Sequence, residues 1–272
     1  MDKASAAGVP EDNRPPFRVK RLGVLLRLHR KSSYIKRIFQ QIRKLKVRTH
    51  ITISLDRPSA AVSTEVNKAI RNLPDRITAD CWEPPSPIVT ASSQNWMLGL
   101  ACQYTQLLTQ LDAQAVLVWD DDMLFTEDGL REIRGHLHDM MYDRYDVLSV
   151  FFWDNPNTIN LKMLKHPHWS SVLFRVYPGD VYPTNYVVHC PERVAKSPHV
   201  CRLAHPARNY GYLSQTDREE AWRTSKLMGR IDGFTQFFVD SPDPLPWTDQ
   251  SVVELAGVLN DRSKQPAAAL PS

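Results

Sequence analysis

Three consecutive aspartates, Asp120, Asp121 and Asp122, follow directly on the apolar run Val116-Leu117-Val118-Trp119. A buried strand that stops at clustered carboxylates presents them at the carboxyl edge of a sheet, where α/β proteins bind ligands. Carboxylates gathered there need a counterion. Two aspartates one residue apart suit a hard divalent cation, Mn²⁺ or Mg²⁺, with water and diphosphate oxygens filling its remaining positions. Such a cation offsets charge developing on a departing diphosphate. The plainer reading of the triplet is an acidic turn that caps the following helix.

Other residues have chemistry within reach. Arg27, His29 and Arg30 stand at the end of an apolar first strand and could meet a diphosphate, or they are surface charge. His189, Cys190, His199, Cys201 and His205 lie close in sequence, but their spacings match no familiar zinc pattern, so buried thiols near ordinary histidines are the better reading. Ser214, Thr216, Asp217, Glu219 and Glu220 read as a capped, dipole-matched first turn of a helix. Trp153, Trp169, Tyr177, Tyr182, Tyr186, Tyr210 and Tyr212 could stack on a sugar or a base, although most such aromatics are core.

The elements that position these groups alternate. Arg21–Leu28 reads as a short buried strand. Ser32 then opens a helix with Tyr34, Ile35, Ile38, Phe39, Ile42 and Leu45 on one face and Lys36, Arg37, Arg43 and Lys44 on the other. Strands are expected at His50–Leu55, Arg76–Trp82, Ala115–Trp119 and Tyr145–Trp153, and helices at Val62–Leu73, through to Leu111 after the Pro-rich loop Glu83–Pro87, and at Glu127–Met141. This alternation implies an α/β fold, Rossmann-like, with a mostly parallel central sheet flanked by helices. Beyond Asp154 the pattern suits a half built from loops.

With 272 residues, 42% of them hydrophobic, the chain can bury one substantial core, so a single domain is expected. We place it at 19–262, as halves 19–122 and 123–262, between tails at 1–18 and 263–272 that read as disordered. No stretch has the composition of a signal peptide or a membrane span. Four irregularly spaced cysteines predict free thiols in a reducing cytoplasm, the host's if the source is a virus. Charge is lopsided: residues 1–50 hold 14 of the 34 Lys and Arg but 3 of the 30 Asp and Glu, a net +11 against −7 for the remainder. Such a segment can attract nucleic acid, nucleotide phosphates or an anionic membrane surface, or be a solvated helix face.

Four segments, in order, resemble the family 2 glycosyltransferases of GT-A fold over about residues 21–231. LLRLHRKSSYIKRIFQQI at Leu25–Ile42 is similar to the family's first strand, turn and helix, with His29 where Asn is usual. TISLDRP at Thr52–Pro58 looks like its second strand, and Asn95–Asp122 like the approach to its Asp-x-Asp motif. Thr184–Ile231 resembles the acceptor half, with a strand at Tyr186–His189, a small helix at Pro191–Ala195, then Thr216-Asp217 and Arg223 where Glu-Asp and Arg are usual.

The resemblance implies roles. Asp56 is expected to hold the base or ribose, Asp120 and Asp122 the ribose and the metal diphosphate with Asp121 beside them, and Asp217 to be the general base. Thr216 departs from the usual Glu, and no histidine follows His205, so the third metal ligand falls to His189 or His205, each also readable as an ordinary polar residue. The implied reaction is inverting transfer of a sugar from a nucleotide-sugar, a UDP-sugar by preference. The acceptor is a hydroxyl, with hydroxymethylated pyrimidine in viral DNA a candidate beside glycan- or lipid-linked acceptors. A nucleotidyltransferase is the rival enzyme, but Leu26–Ser33 lacks the glycines of its phosphate loop. A non-enzymatic nucleic-acid-binding module leaves the aspartate triplet unexplained.

Overall fold

Apolar residues on both faces of Arg21–Leu28 make it a strand that must be covered twice, and it is. In this computed structural model, which describes residues 16–28, 33–55, 58–82, 104–105, 108–109, 112–160, 168–182, 190–211, 213–219 and 244–246, that strand (β1) lies inside an 11-stranded sheet. Leu22, Val24, Leu26 and Leu28 face one core with the helices α1 (Ile35–Lys44), α2 (Ala60–Arg71) and α3 (Glu127–His138). Leu25 faces a second core containing Tyr104, Leu108, Val116, Val118 and Phe174. Each fully buried aliphatic side chain contributes about 1.5–3 kcal/mol, so the two cores fix which face every strand residue takes.

The sheet order is β11-β7-β6-β8-β4-β1-β2-β3. Strands β2 (Arg48–Leu55), β3 (Ile77–Trp82) and β4 (Ala115–Asp120) run parallel with β1. Beyond β4 the sheet turns antiparallel: β8 (His168–Arg175) sits between β4 and β6 (Arg144–Trp153), opposed to both. On the far side of β6 lie β7 (Asn155–Asn160) and β11 (Pro244–Pro246). Three short strands stand off this path: β5 (Met123–Phe125), β9 (Val200–Arg202) and β10 (Ala207–Asn209). A short helix, α4, spans Glu192–Ala195.

The α/β class and single domain expected from the sequence are therefore present. Three details differ. Ser32 lies outside the described residues, and the residue at the N-cap of α1 is Tyr34, which makes no side-chain cap hydrogen bond. The half beyond Asp154 holds β7 to β11 as well as loops, because β8 gains its ladder bonds from β4 and β6 despite its polar start. Helix α3 stops at His138, and Met140 instead bridges Phe17, whose ring lies 4.4 Å beneath the Arg175 guanidinium. Phe17 thus packs on the domain, where its apolar ring is covered. Of the helix expected from the Glu83–Pro87 loop through to Leu111, the described residues are 104–105 and 108–109, and the expected strand Tyr186–His189 lies outside them. Among the described residues no helix is long and apolar enough to cross a membrane.

Candidate active site at the carboxyl edge of the sheet

Strand register decides which groups meet. Arg27 pairs with Asp120 across β1 and β4, and alternation puts both on the face of Leu25, Val116 and Val118. The Arg27 guanidinium donates to Asp120 Oδ1 at 2.7 Å, with the side chains 29% and 24% exposed. Asp120, with a smaller contribution from Asp121, holds that guanidinium charged and raises its pKa. Arg27 is therefore no stray surface charge. Tyr104 is buried beside the pair, its hydroxyl pKa raised by burial and drawn back by Arg27.

His168, at the start of β8, reaches the same edge because β8 opposes β4. Desolvation of its ring lowers its pKa, and the Asp120 carboxylate works the other way.

Asp122 is placed by the turn between β4 and β5 and by the strand opposite. Trp119 Nε1 donates to the Met123 carbonyl at 2.8 Å and pins that turn. The Tyr210 amide donates to the Asp122 carbonyl at 2.8 Å. Gly211 then passes so close that a Cβ there would stand 2.4 Å from Asp122 Oδ2 and 2.9 Å from Asn209 Oδ1. The Asp122 carboxylate thus packs against Gly211 where only a residue without a side chain admits it, and Asn209 Oδ1 beside it accepts from the Gly211 amide at 2.8 Å. Tyr210 is itself held in a stack between Tyr34 (centroids 4.8 Å apart, planes at 16°) and Phe152 (4.9 Å, 19°).

Asp217 lies near this group. The Tyr34 hydroxyl has its pKa raised by burial first, then by Tyr210, Asp122 and Asp217, while Arg37 lowers it. Asp217 also caps the helical turn at 215–219: its amide donates to Ser214 Oγ at 3.1 Å, and its Oδ2 accepts from the Ser214 amide at 3.2 Å and hydroxyl at 2.7 Å. The reciprocal arrangement is a capping box.

Of the residues singled out on sequence, the structure brings Arg27 and Asp120 into contact with Asp121 close by, and sets Asp122 and Asp217 near the Tyr34 hydroxyl. His29, Arg30, Asp56, His189 and Arg223 lie outside the described residues. His205 Nδ1 is 2.9 Å from Glu132 Oε2, on the α3 side, and Cys190 and Cys201 are thiols pushed up to about 11 by burial. Asp180, another acid of the 123–262 half, follows the far end of β8, at the amino edge of β4, where the Tyr177 amide donates to it. Asn209, Gly211, Tyr34, Tyr104 and His168 were not readable as site residues. Asn209-Tyr210-Gly211 carries a turn signal, the one sequence feature that pointed to them.

The oxygen donors present, Asp122 and Asn209 with Asp120 nearby, fit a hard cation in kind. Among the described residues no group of three or more His, Cys, Asp or Glu is placed to hold one, so the shell also needs water, diphosphate or residues outside that set.

No protein-family model matches the chain, and no curated protein does. Solved structures are similar to it. Residues 1–349 of S. aureus TarS in complex with UDP-GlcNAc share 10% identity over 89% of this chain and 72% of that one, with a TM-score of 0.48. The same fragment of TarS in a separate structure gives 10% identity, 80% and 68% coverage and a TM-score of 0.47. The mannosyltransferase PcManGT from Pyrobaculum calidifontis, in complex with GDP-Man and Mn²⁺, gives 13% identity, 97% and 81% coverage and a TM-score of 0.45.

Proposed function

We propose that this chain is a metal-dependent glycosyltransferase of GT-A type that transfers a sugar from a nucleotide-sugar, a UDP-sugar by preference, to an acceptor hydroxyl with inversion. The observation that carries the reading is the placing of acids at the carboxyl edge of parallel strands: Asp120 set by Arg27, and Asp122 packed against Gly211 beside Asn209. Asp120 and Asp122 are the residues that would hold Mn²⁺ or Mg²⁺, with His189 as a further ligand. Bound there, the ion would offset charge on the departing diphosphate.

This chain's own groups do the rest. Arg27 pairs with Asp120 and orients it, as charge-assisted hydrogen bonds do. Arg30 and His29 meet the diphosphate, and Asp56 the base or ribose. Tyr34, Tyr210 and Phe152 hold the 209–211 turn against Asp122. The acceptor oxygen attacks the anomeric carbon as the bond to the diphosphate breaks, and its proton passes to Asp217. For the acceptor we carry forward the nucleic-acid candidate, hydroxymethylated pyrimidine, because the basic helix α1 borders this edge.

Asp217→Asn tests the base. The amide oxygen of asparagine can still accept from the Ser214 amide and hydroxyl, so the 214–217 turn should persist while basicity is withdrawn. Transfer should slow by about 10²–10⁴-fold with donor affinity near normal, measured by product formation and by donor titration. Glu219→Gln and Glu220→Gln, run in parallel, should be near wild type. Should one of them lose activity while Asp217→Asn keeps it, the base is misassigned.

A further inference from the structure

Asp154, the one residue between β6 and β7, has a left-handed backbone (φ 62°) without being a glycine, and the β6–β7 ladder shifts register just before it, between Phe152 and Trp153. Aspartate tolerates that region better than most residues, but the conformation persists only where its surroundings hold it, and such positions cluster at functional sites. What holds Asp154 is the segment that carries Asp217. The Asp154 amide donates to the Leu213 carbonyl at 2.9 Å, and Asp154 Oδ1 accepts from the Arg218 guanidinium at 2.9 Å. Arg218 donates to the same Leu213 carbonyl at 3.2 Å.

The Arg218 side chain is 11% exposed and that of Asp154 60%, so solvent screens the pair and its attraction adds little to stability. Its consequence is geometric. The other end of the segment is tied as well: the Tyr210 amide donates to the Asp122 carbonyl, and the Tyr210 ring stacks on Phe152. Strands β4 and β6 both oppose β8 and so run in one direction, which puts Asp122 and Asp154 at the same edge of the sheet. The segment from Tyr210 to Arg218 is therefore tethered to the turn after β4 and to the turn after β6. Between these tethers the single helical turn at 215–219 is locked onto Ser214 by Asp217. One turn is too short to be stable by itself, so its place comes from the tethers.

We infer that Asp154 and Arg218 are positioning residues for Asp217: the left-handed turn at Asp154 and the Arg218 guanidinium together fix the helical turn that holds the Asp217 carboxylate beside Tyr34. The inference rests on the proposed function for the role of Asp217 as base, and adds what keeps that base in place.

Asp154→Gly is the informative variant, because glycine adopts a φ of 62° without strain and the change removes only the carboxylate. Asp154→Asn keeps an acceptor oxygen on a residue that also tolerates this backbone, so it should behave as wild type. The first readout is amide hydrogen exchange of the full chain without donor, acceptor or metal. Peptides covering 209–219 should exchange about 10-fold faster in Asp154→Gly, the loss of one hydrogen bond to a charged group. They should be unchanged in Asp154→Asn and in Lys68→Gln, which breaks an exposed pair on α2. The second readout is transfer with Mn²⁺, a panel of nucleotide-sugars and either simple glycans or hydroxymethylated single-stranded DNA. Asp154→Gly should lower kcat by about 10–10²-fold with donor KM unchanged, as when a catalytic group is displaced by about 1 Å. In an Asp217→Asn background the same change should cost less than about 2-fold, because the group it positions has already lost its basicity.

Unaltered exchange in Asp154→Gly, equal losses of kcat in the two backgrounds, or an Asp154→Asn variant as slow as Asp154→Gly would each overturn the inference. Should Asp217→Asn be slow while Asp154→Gly turns over like wild type, the inference falls and the proposed reaction stands. Should Asp217→Asn turn over like wild type, the assignment of the base falls and takes the inference with it.

Discussion

Asp122→Asn is expected to lose about 10³-fold or more in transfer rate while keeping its fold. The carboxylate is held by the Tyr210 amide on its own backbone and by the absence of a side chain at Gly211, so an isosteric amide fits the same space. An amide supplies an oxygen but no negative charge to a hard cation. Charge stabilisation by a bound ion is worth several kcal/mol, and about 4 kcal/mol corresponds to about 10³ in rate. Thermal melting without metal should be unchanged or slightly raised, since one of three adjacent like charges is removed. Stabilisation of the wild type by Mn²⁺ plus nucleoside diphosphate should disappear in the variant. Equal stabilisation of both proteins would remove Asp122 from the site.

Gly211→Ala gives the second large effect, by adding one methyl group. The new Cβ would sit 2.4 Å from Asp122 Oδ2 and 2.9 Å from Asn209 Oδ1, closer than carbon and oxygen tolerate. The atoms it meets are side-chain ends, so the chain can yield at small cost in stability, but only by swinging both oxygens out of register. Transfer and metal-dependent donor binding should fall by about 10²-fold, the loss expected when catalytic groups are displaced by about 1 Å. Gly135→Ala is the control. That glycine is in the exposed C-terminal part of α3 with nothing within 4 Å of its would-be Cβ. There the change should stabilise by about 0.5–1 kcal/mol and leave activity alone. If Gly211→Ala retains full activity, the packing of Asp122 and Asn209 against Gly211 is not functional.

The parts of this architecture readable from sequence are those set by local pattern. The continuous apolar runs of β1 and β4 cover two cores, and such runs are bounded sharply by the charges that end them, Arg27 and Asp120 among them. Helix α2 was readable for the same reason, from Val62 and Val66 one turn apart. The aspartate triplet was legible because a buried strand rarely ends in three carboxylates without a use for them.

What local pattern cannot carry is register between distant strands. Arg27 and Asp120 are 93 residues apart, and their contact follows from the pairing of β1 with β4 in one register among several. Asn209 and Gly211 reach Asp122 because β10 pairs with β5, two three-residue strands too short to leave a signal. Strand β8 was hidden by its start, His168-Trp169-Ser170-Ser171, which lacks clean alternation and takes its place from the ladders on either side. The N-cap of α1 was misread for a related reason: Ser32 has the right side chain, but the helix begins at Ile35, where stacking of Tyr34 on Tyr210 fixes the entry of the chain.

The most direct test of sugar transfer at this site is mass spectrometry of products from the purified chain. It is incubated with Mn²⁺ and a panel of nucleotide-sugars, and offered hydroxymethylated single-stranded DNA, plain DNA and simple glycans in separate reactions. The account predicts a mass increase of one sugar residue on a hydroxyl-bearing acceptor, with release of nucleoside diphosphate. That product should be lost in EDTA, restored by Mn²⁺ and absent with Asp122→Asn. Sugar transfer that continues undiminished in EDTA, or in the Asp122→Asn protein, would contradict it.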